Sequence, residues 1–367
     1  MKFTIITVCL NSSNTIEKTI NSVLSQKYNN IEYIIIDGGS IDGTVDIIKK
    51  FSKKIDYWSS EPDGGIYDAM NKGISKATGD VISFLNSNDW YENGIFEIID
   101  KVFKENLCDM VCGRVNFIQN GQIIGQTAHT VSSKDFYIGM IYPHSAMFSK
   151  KEVFKKYGLF NTTYKICADY DWLLRVYNEN IKIQFIDYIF SNFALGGISG
   201  SSETAEETKE ICLKNLPHEL YEKYYDKILE RYILNKSYFV CNEVSAKLNC
   251  KKINGEQYVK LLQKFNVKNQ CNIFGVGIKA YDCLNFLNSL NIYVINIYDN
   301  DINKQGKLFE GLVIKSKDEI DISIPTVITS YHYEREIEKE FIKENINNYI
   351  LFSDLAKEVM QIYNCEY

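Results

Sequence analysis

Glu32-Tyr33-Ile34-Ile35-Ile36-Asp37-Gly38-Gly39-Ser40-Ile41-Asp42-Gly43-Thr44 is the stretch that decides the architecture of this chain. Its three successive isoleucines leave no solvent face, so Glu32–Ile36 reads as a strand buried on both sides, the mark of a parallel sheet. The strand stops at Asp37-Gly38-Gly39, and a helix follows from Asp42-Gly43-Thr44 with Val45, Ile48 and Phe51 on one face. Outward from this unit the pattern repeats. Upstream, Phe3–Cys9 is a β-rich apolar run. After it, Asn14 is expected to cap a helix, with Glu17 as its capping-box partner and Ile16, Ile20, Val23 and Leu24 as the apolar face. Downstream, a helix is expected from Ile66 to Ala77, stopped by Gly79, and a strand from Val81 to Leu85. Strands alternating with helices predict an α/β fold whose ligands sit at the carboxyl ends of parallel strands.

The 367 residues suit two domains better than one. Hydrophobic residues make up 45% and prolines number only 4, which fits a packed chain throughout. The formal charge of -6 argues against nucleic acid as a partner, because a phosphate backbone calls for a basic surface. The apolar run Phe3–Leu10 is short, lacks a small-residue cleavage site and gives way at once to Asn11-Ser12-Ser13-Asn14, so it reads as a buried strand and not a signal peptide. No run reaches the roughly 18 apolar residues of a spanning helix, and the expectation is a cytoplasmic protein. The ten cysteines include no CxxC pair, Cys108 and Cys112 coming nearest, and are expected to be buried thiols in a reducing compartment.

From about Ser201 to Phe265 the texture changes to charged, tyrosine-rich helical segments. The stretch Tyr221–Tyr232 reads as helix packed on the core, with peripheral contact at the inner face of a membrane as the alternative. From Cys271 the strand-helix alternation resumes. The expected division is 1–202 for the first α/β domain, 203–268 for a helical linker and 269–367 for a second, smaller α/β domain.

Polar residues follow nearly every strand of the first half. Asp37 ends one, and Asn86-Ser87-Asn88-Asp89 ends the strand Ile82–Leu85. Carboxylates there line the crevice above a parallel sheet, where they can bind a base or ribose and hold a divalent cation against a diphosphate. A single such aspartate can equally be a helix cap; several together point to a site.

These residues carry a resemblance. Ser22–Gln26 (SVLSQ), Glu32–Thr44, Glu61–Ile74 (EPDGGIYDAMNKGI), Phe84–Asp89 (FLNSND), Pro143-His144-Ser145 and Ala168–Arg175 (ADYDWLLR) together resemble the family 2 glycosyltransferases of GT-A fold, over roughly residues 1–200 and in the same order. The resemblance implies a nucleotide-diphospho-sugar transferase fold and transfer from a nucleotide sugar, UDP-linked, to an acceptor hydroxyl. It implies that Asp37 contacts the uracil, with Thr7 and Val8 in the same pocket, and that Asp68, Asn71 and Lys72 face the donor sugar or ribose. Asp89 matches the last acid of the metal motif, expected to hold Mn²⁺ or Mg²⁺. His144 falls near the diphosphate or acceptor. Asp169 matches the catalytic base, and its neighbour Asp171 reads as a structural charge at a helix start. Where the family usually carries Asp, this chain has Asn88, which with Asn86 keeps a hydrogen bond to ribose in reach. The loop Leu195–Ser202 (LGGISGSS) is either a lid over the site or a plain connector.

Further on, Gly275-Val276-Gly277-Ile278-Lys279-Ala280 follows the strand Asn272–Phe274, and a second strand ends at Asp299. That arrangement resembles a Rossmann-like nucleotide module with Gly275, Gly277 and Asp299 as its site, although Ala280 replaces the third glycine. The expected activity is that of an inverting hexosyltransferase, moving hexose or N-acetylhexosamine (UDP-GlcNAc or a similar donor) to a polysaccharide, lipid-linked or protein acceptor. Two alternatives remain: a non-catalytic nucleotide-sugar-binding protein, motivated by Asn88, and a bifunctional enzyme with a second activity in residues 271–367.

Overall fold

Seven buried residues, Phe3–Cys9, form β1 near the middle of the first sheet. The sheet also contains β2 (Ile31–Asp37), β3 (Tyr57–Ser60), β4 (Val81–Phe84), β5 (Trp90–Tyr91), β6 (Met110–Gln119), β7 (Gln122–Gln126), β8 (Met147–Lys150) and β9 (Ile183–Ala194). In space the order is β3-β2-β1-β4-β8-β6-β9-β5, with β7 beside β6. Strands β3, β2, β1 and β4 are parallel, whereas β8 runs antiparallel to both β4 and β6. The computed structural model describes residues 1–119, 121–127, 133–197, 199, 201–229, 231–232, 235–236, 255–277, 280–330 and 334–362.

Side chains of β1 divide by the period of 2 between two apolar layers. Ile6 and Val8 join Tyr67, Met70, Phe160 and Trp172 on one face, while Phe3, Ile5 and Cys9 join Ile16, Ile20 and Phe148 on the other. The second layer holds α1 (Ile16–Leu24), and α2 (Thr44–Phe51) adds Ile48 to it. The first layer holds α3 (Ile66–Lys76), whose Gly73 lets helix and strand close up: a Cβ there would sit 2.5 Å from Ile6 Cγ2. Later helices are α4 (Ile95–Glu105), α5 (Lys151–Tyr157), α6 (Ala168–Asn178) and α7 (Ser202–Asn215).

The capping box expected at Asn14 does not form. The helix begins at Ile16 after Thr15, with no side-chain cap. Tertiary contacts set the start instead. Asn11 turns the chain at φ 50°, and the N–H groups of Asn11, Ser12 and Ser13 donate to Ser40 Oγ (2.7 Å), Thr44 Oγ1 (2.7 Å) and Asp42 Oδ2 (3.0 Å). The loops after β1 and β2 are thus laced together, and Ser12 O accepts the first helical N–H groups.

The buried charge that ties the opposite end of the sheet is Glu32. It accepts from Thr4 Oγ1 (2.6 Å), Thr78 N (2.7 Å) and Lys2 Nζ (2.9 Å). Burial alone would raise this carboxyl; the hydrogen bonds outweigh it and lower it to about 2. A lowered carboxyl stabilises the fold above its unfolded value and loses that contribution as pH falls toward the folded one. Glu32→Gln is therefore expected to cost on the order of 2 kcal/mol at pH 7. The gap to the parent should narrow from about pH 4.5 down to pH 2, as read by urea unfolding at both ends.

The described residues fall into two compact units, Met1–Leu229 and Glu230–Tyr367. The expected boundary at residue 202 lies between β9 and α7, and the first unit continues past it through α7, which packs on α6, and helical residues 221–229. Part of the expected linker, residues 230, 233–234 and 237–254, lies outside the described residues. The second unit contains α8 (Gly255–Lys264), β10 (Gln270–Phe274), α9 (Ala280–Ser289), β11 (Tyr293–Tyr298), β12 (Leu308–Phe309), β13 (Leu312–Lys315), β14 (Thr326–Ile328), α10 (Glu334–Lys343), β15 (Tyr349–Leu351) and α11 (Phe352–Ile362). Its sheet order is β12-β13-β11-β10-β14-β15, parallel except for the β12–β13 hairpin, which is a doubly wound arrangement. Among the described residues no helix is long and apolar enough to cross a membrane.

Candidate active site

In the first unit the strand order reverses between β1 and β4, and a crevice opens at their carboxyl ends. Because β8 runs antiparallel to β4, with Phe148 opposite Ser83, the residues just before β8 arrive at that same end. This places His144, from the short 3₁₀ turn His144–Ala146, beside the loop 86–89 that follows β4. The start of α6 supplies Asp169.

Asp169 is contacted at both oxygens. Its Oδ1 accepts from the Tyr170 N–H (2.9 Å) and lies 2.9 Å from Tyr67 Oη, whose single proton it shares with Ile166 O. Its Oδ2 lies 3.4 Å from His144 Nδ1. Burial works against a charged imidazole, but Asp169 and Asp89 outweigh it and raise His144 above its usual value. The far nitrogen, Nε2, is buried without a hydrogen-bond partner, and so is Asn86 Oδ1. Asp89 is 3% exposed; its Oδ1 accepts from the Ala194 N–H (2.9 Å), and burial pushes the carboxyl up to about 7 against the pull of His144. Asn88, next to it, is exposed.

Asp171 faces the other way. It is 1% exposed and pairs with Arg175 (2.9 Å), with Lys214 of α7 at 3.9 Å. Two residues apart on a helix, the aspartates point to different surroundings: Asp169 to the crevice, Asp171 to the α6–α7 interface.

Other expected site residues are already committed to the fold. Asp37 is fully buried, and its two oxygens accept from the Gly39 (3.1 Å) and Ser40 (2.9 Å) N–H groups, from the Ser40 and Ser60 (2.7 Å) hydroxyls and from the Cys9 thiol (3.4 Å). Burial raises it, but these donors outweigh burial and hold the carboxyl below its usual range. Asp37 thus shapes the turn 38–40 at the rim of the crevice. Thr7 meets Tyr33 Oη (3.0 Å) inside the core and Val8 is buried too, so both side chains pack within the fold. Asn71 clasps the backbone of Phe160 at both N–H (3.1 Å) and C=O (2.9 Å). Asp68 and Lys72 remain at the surface of α3, 3.4 Å apart, with Glu61 3.3 Å from Lys72. Tyr67, not singled out from sequence, lies within the EPDGGIYDAMNKGI run and orients Asp169 from beneath. Ile198 and Gly200 of the loop 195–202 lie outside the described residues.

In the second unit Gly275 (φ 99°) ends β10, and Gly277 is exposed. Asp299 Oδ2 accepts from the Val276 N–H (2.7 Å) and pairs with Lys304 (3.2 Å), and Oδ1 accepts from the Asp301 N–H (2.8 Å). A ribose diol would meet a carboxylate whose oxygens are already in use. Ile278 and Lys279 lie outside the described residues.

Residues 4–173 match the model of glycosyl transferase family 2, and residues 267–352 match the family described as C2185-like, N-terminal. The uncharacterized glycosyltransferase MT1564 of Mycobacterium tuberculosis (strain CDC 1551 / Oshkosh) is 31% identical over 177 residues, 47% of this chain and 67% of that protein. A PGL/p-HBAD biosynthesis glycosyltransferase of Mycobacterium bovis (strain BCG / Pasteur 1173P2) is 27% identical over 221 residues, 57% of this chain and 83% of its own. Among solved structures, S. aureus TarS 1-349 in complex with UDP-GlcNAc superposes with a TM-score of 0.53 at 17% identity, covering 79% of this chain and 90% of that one. Longer TarS gives 0.51 at 16% identity; 84% of this chain is covered, and the match spans 56% of that protein's length. At such identities these structures share the fold. By sequence match and fold together, the chain belongs to glycosyltransferase family 2.

Proposed function

We propose that residues 1–229 form an inverting hexosyltransferase that moves hexose or N-acetylhexosamine from a UDP-sugar, such as UDP-GlcNAc, to a hydroxyl of a glycan, lipid-linked or protein acceptor. The observation that carries this reading is the meeting of Asp169, His144 and Asp89, from three distant segments, at the carboxyl ends of β1 and β4. Asp169 Oδ1 is occupied by Tyr67 and Tyr170, so Oδ2, which faces His144 Nδ1 at 3.4 Å, is read as the basic oxygen. The acceptor hydroxyl gives its proton to Oδ2 as its oxygen attacks the anomeric carbon, and UDP leaves with the electron pair of the broken C–O bond. One displacement from the face opposite the leaving group inverts the centre.

A divalent cation fits beside this base. Asp89 has one oxygen free of the Ala194 bond, Asn86 Oδ1 offers lone pairs, and His144 Nε2 offers one when the imidazole is neutral with its proton on Nδ1 toward Asp169. Among the described residues no three His, Cys, Asp or Glu side chains form a cation site by themselves, so the donor's diphosphate is expected to complete the coordination. When bound, Mn²⁺ or Mg²⁺ supplies Lewis-acid neutralisation of the charge that develops on the departing diphosphate. The second unit is proposed to serve as a scaffold, since Asp299 is spent on Val276, Asp301 and Lys304.

The test is a panel of nucleotide sugars with Mn²⁺, following nucleotide release. Turnover of one UDP-sugar well above the others is expected. Tight UDP-sugar binding in calorimetry with no turnover, with or without glycan acceptors, would replace the enzyme by the binding protein that Asn88 suggests.

A further inference from the structure

The helix that carries Asp169 starts without a cap of its own. The N–H groups ahead of a helix lack intrahelical acceptors, and Cys167, at the cap position of α6, makes no side-chain cap bond. The acceptor comes from 40 residues further along the chain. Glu207, in the middle of α7, takes the Lys165 N–H on Oε1 (2.8 Å) and the Ile166 and Cys167 N–H groups on Oε2 (both 2.9 Å). Around this clasp, Cys167 Sγ lies 3.7 Å from Thr204 O and 3.6 Å from Thr208 Oγ1, and Tyr164 Oη donates to Glu210 (3.0 Å). Three consecutive backbone donors are thereby fixed by one carboxylate, ending two residues before Asp169. The partners on α7, Thr204, Glu207, Thr208 and Glu210, lie beyond residue 173, where the family match stops.

We infer that Glu207 is a positioning residue for transfer: it fixes the backbone from which Asp169 projects and so aims Oδ2, without touching substrate. The inference rests on the reading of Asp169 as the base. A carboxylate suits the task because all its lone pairs accept, and its charge complements the positive end of α6. Glutamine has nearly the same shape but offers one acceptor oxygen, and its NH₂ would face an N–H donor. The donor-side elements, the turn 38–40 and the loop 86–89, make none of these contacts. A misdirected base should therefore slow the chemical step and leave donor binding alone.

The full chain is assayed with Mn²⁺ and the UDP-sugar that it turns over fastest in the panel above, and rates are corrected for the folded fraction. Glu207→Gln is expected to lower kcat by about 10- to 100-fold with donor KM within about twofold of the parent. Glu207→Asp, which keeps the charge on a shorter stem, is expected to recover part of that loss. A merely stabilising contact would lower the unfolding temperature and leave kcat per folded molecule unchanged, and that result overturns the inference. If Glu207→Gln does not fold, the same split is read from Glu207→Asp: parental kcat overturns the inference, lowered kcat at unchanged KM upholds it. Asp169→Asn, run alongside, separates the two claims. If it is silent while both Glu207 variants run at the parental rate, only the Glu207 assignment fails. If it keeps full activity, or if no UDP-sugar is turned over at all, the underlying reading fails and takes the inference with it.

Discussion

Asp169→Asn is expected to lower kcat by on the order of 10²- to 10⁴-fold while the fold survives intact. Asparagine is nearly isosteric and its oxygen can still accept from Tyr67 and the Tyr170 N–H, so α6 keeps its start. It cannot take a proton. The contrast lies two residues along. Asp171 is buried against Arg175, whose guanidinium also donates to Tyr157 O and Leu159 O, and Asn215 of α7 lies 3.5 Å away. Asp171→Asn leaves that cation short of a partner and should cost about 2 kcal/mol of stability. Its rate per folded molecule should match the parent. Nucleotide release paired with urea unfolding distinguishes the two. A silent Asp171→Asn beside an active Asp169→Asn would move the base assignment to Asp171.

The second large effect is expected at Asp89, and it has two signs. Asp89→Asn keeps an acceptor for the Ala194 N–H and so keeps the loop in place. Without the charge, cation-dependent turnover is expected to fall by at least about 10³-fold, and Mn²⁺ titration in the presence of UDP should show little binding. In cation-free protein the same change should stabilise. A carboxylate buried to 3% exposure with one backbone donor carries an uncompensated desolvation cost. Removing it is expected to raise stability by on the order of 1 kcal/mol in buffer containing chelator. Calorimetric unfolding with and without Mn²⁺ and UDP checks both signs, and a variant both active and less stable would contradict the reading of Asp89.

The strands and helices of the first unit were legible because their signals are local. Ile34-Ile35-Ile36 permits little besides a buried strand, and the apolar face of Ile16, Ile20 and Val23 appears as expected in the core. The helix cap at Asn14 failed for a tertiary reason: the residues around it hydrogen-bond the loop 40–44, a contact no window of sequence contains. The site was legible to a similar depth. Sequence singled out Asp37, Asp89, His144 and Asp169 as candidates, and the fold brings the last three together, but sequence did not tell what each oxygen would do. That Asp37 spends both oxygens on its own turn depends on Ser60, which β3 brings alongside. That Thr7 points inward depends on Tyr33, one strand over. The choice between Asp169 and Asp171 rests on Lys214 and Asn215, and the role of Glu207 on an equally distant helix. Surface and buried polar groups look alike in a sequence until the chain has brought their partners together.

The thiol of Cys167 sits 6% exposed under α7, two residues from Asp169, and burial pushes its ionisation far above that of an ordinary cysteine. A thiol reacts as the thiolate, so alkylation of Cys167 in the native protein should wait for α7 to lift away from the start of α6. The rate of that labelling, set against the rate for the exposed thiol, reads the opening free energy of this one junction. The protein thus carries its own clock for how often the cover over the helix bearing Asp169 comes loose, and a ligand that settles the site would be seen as the clock slowing.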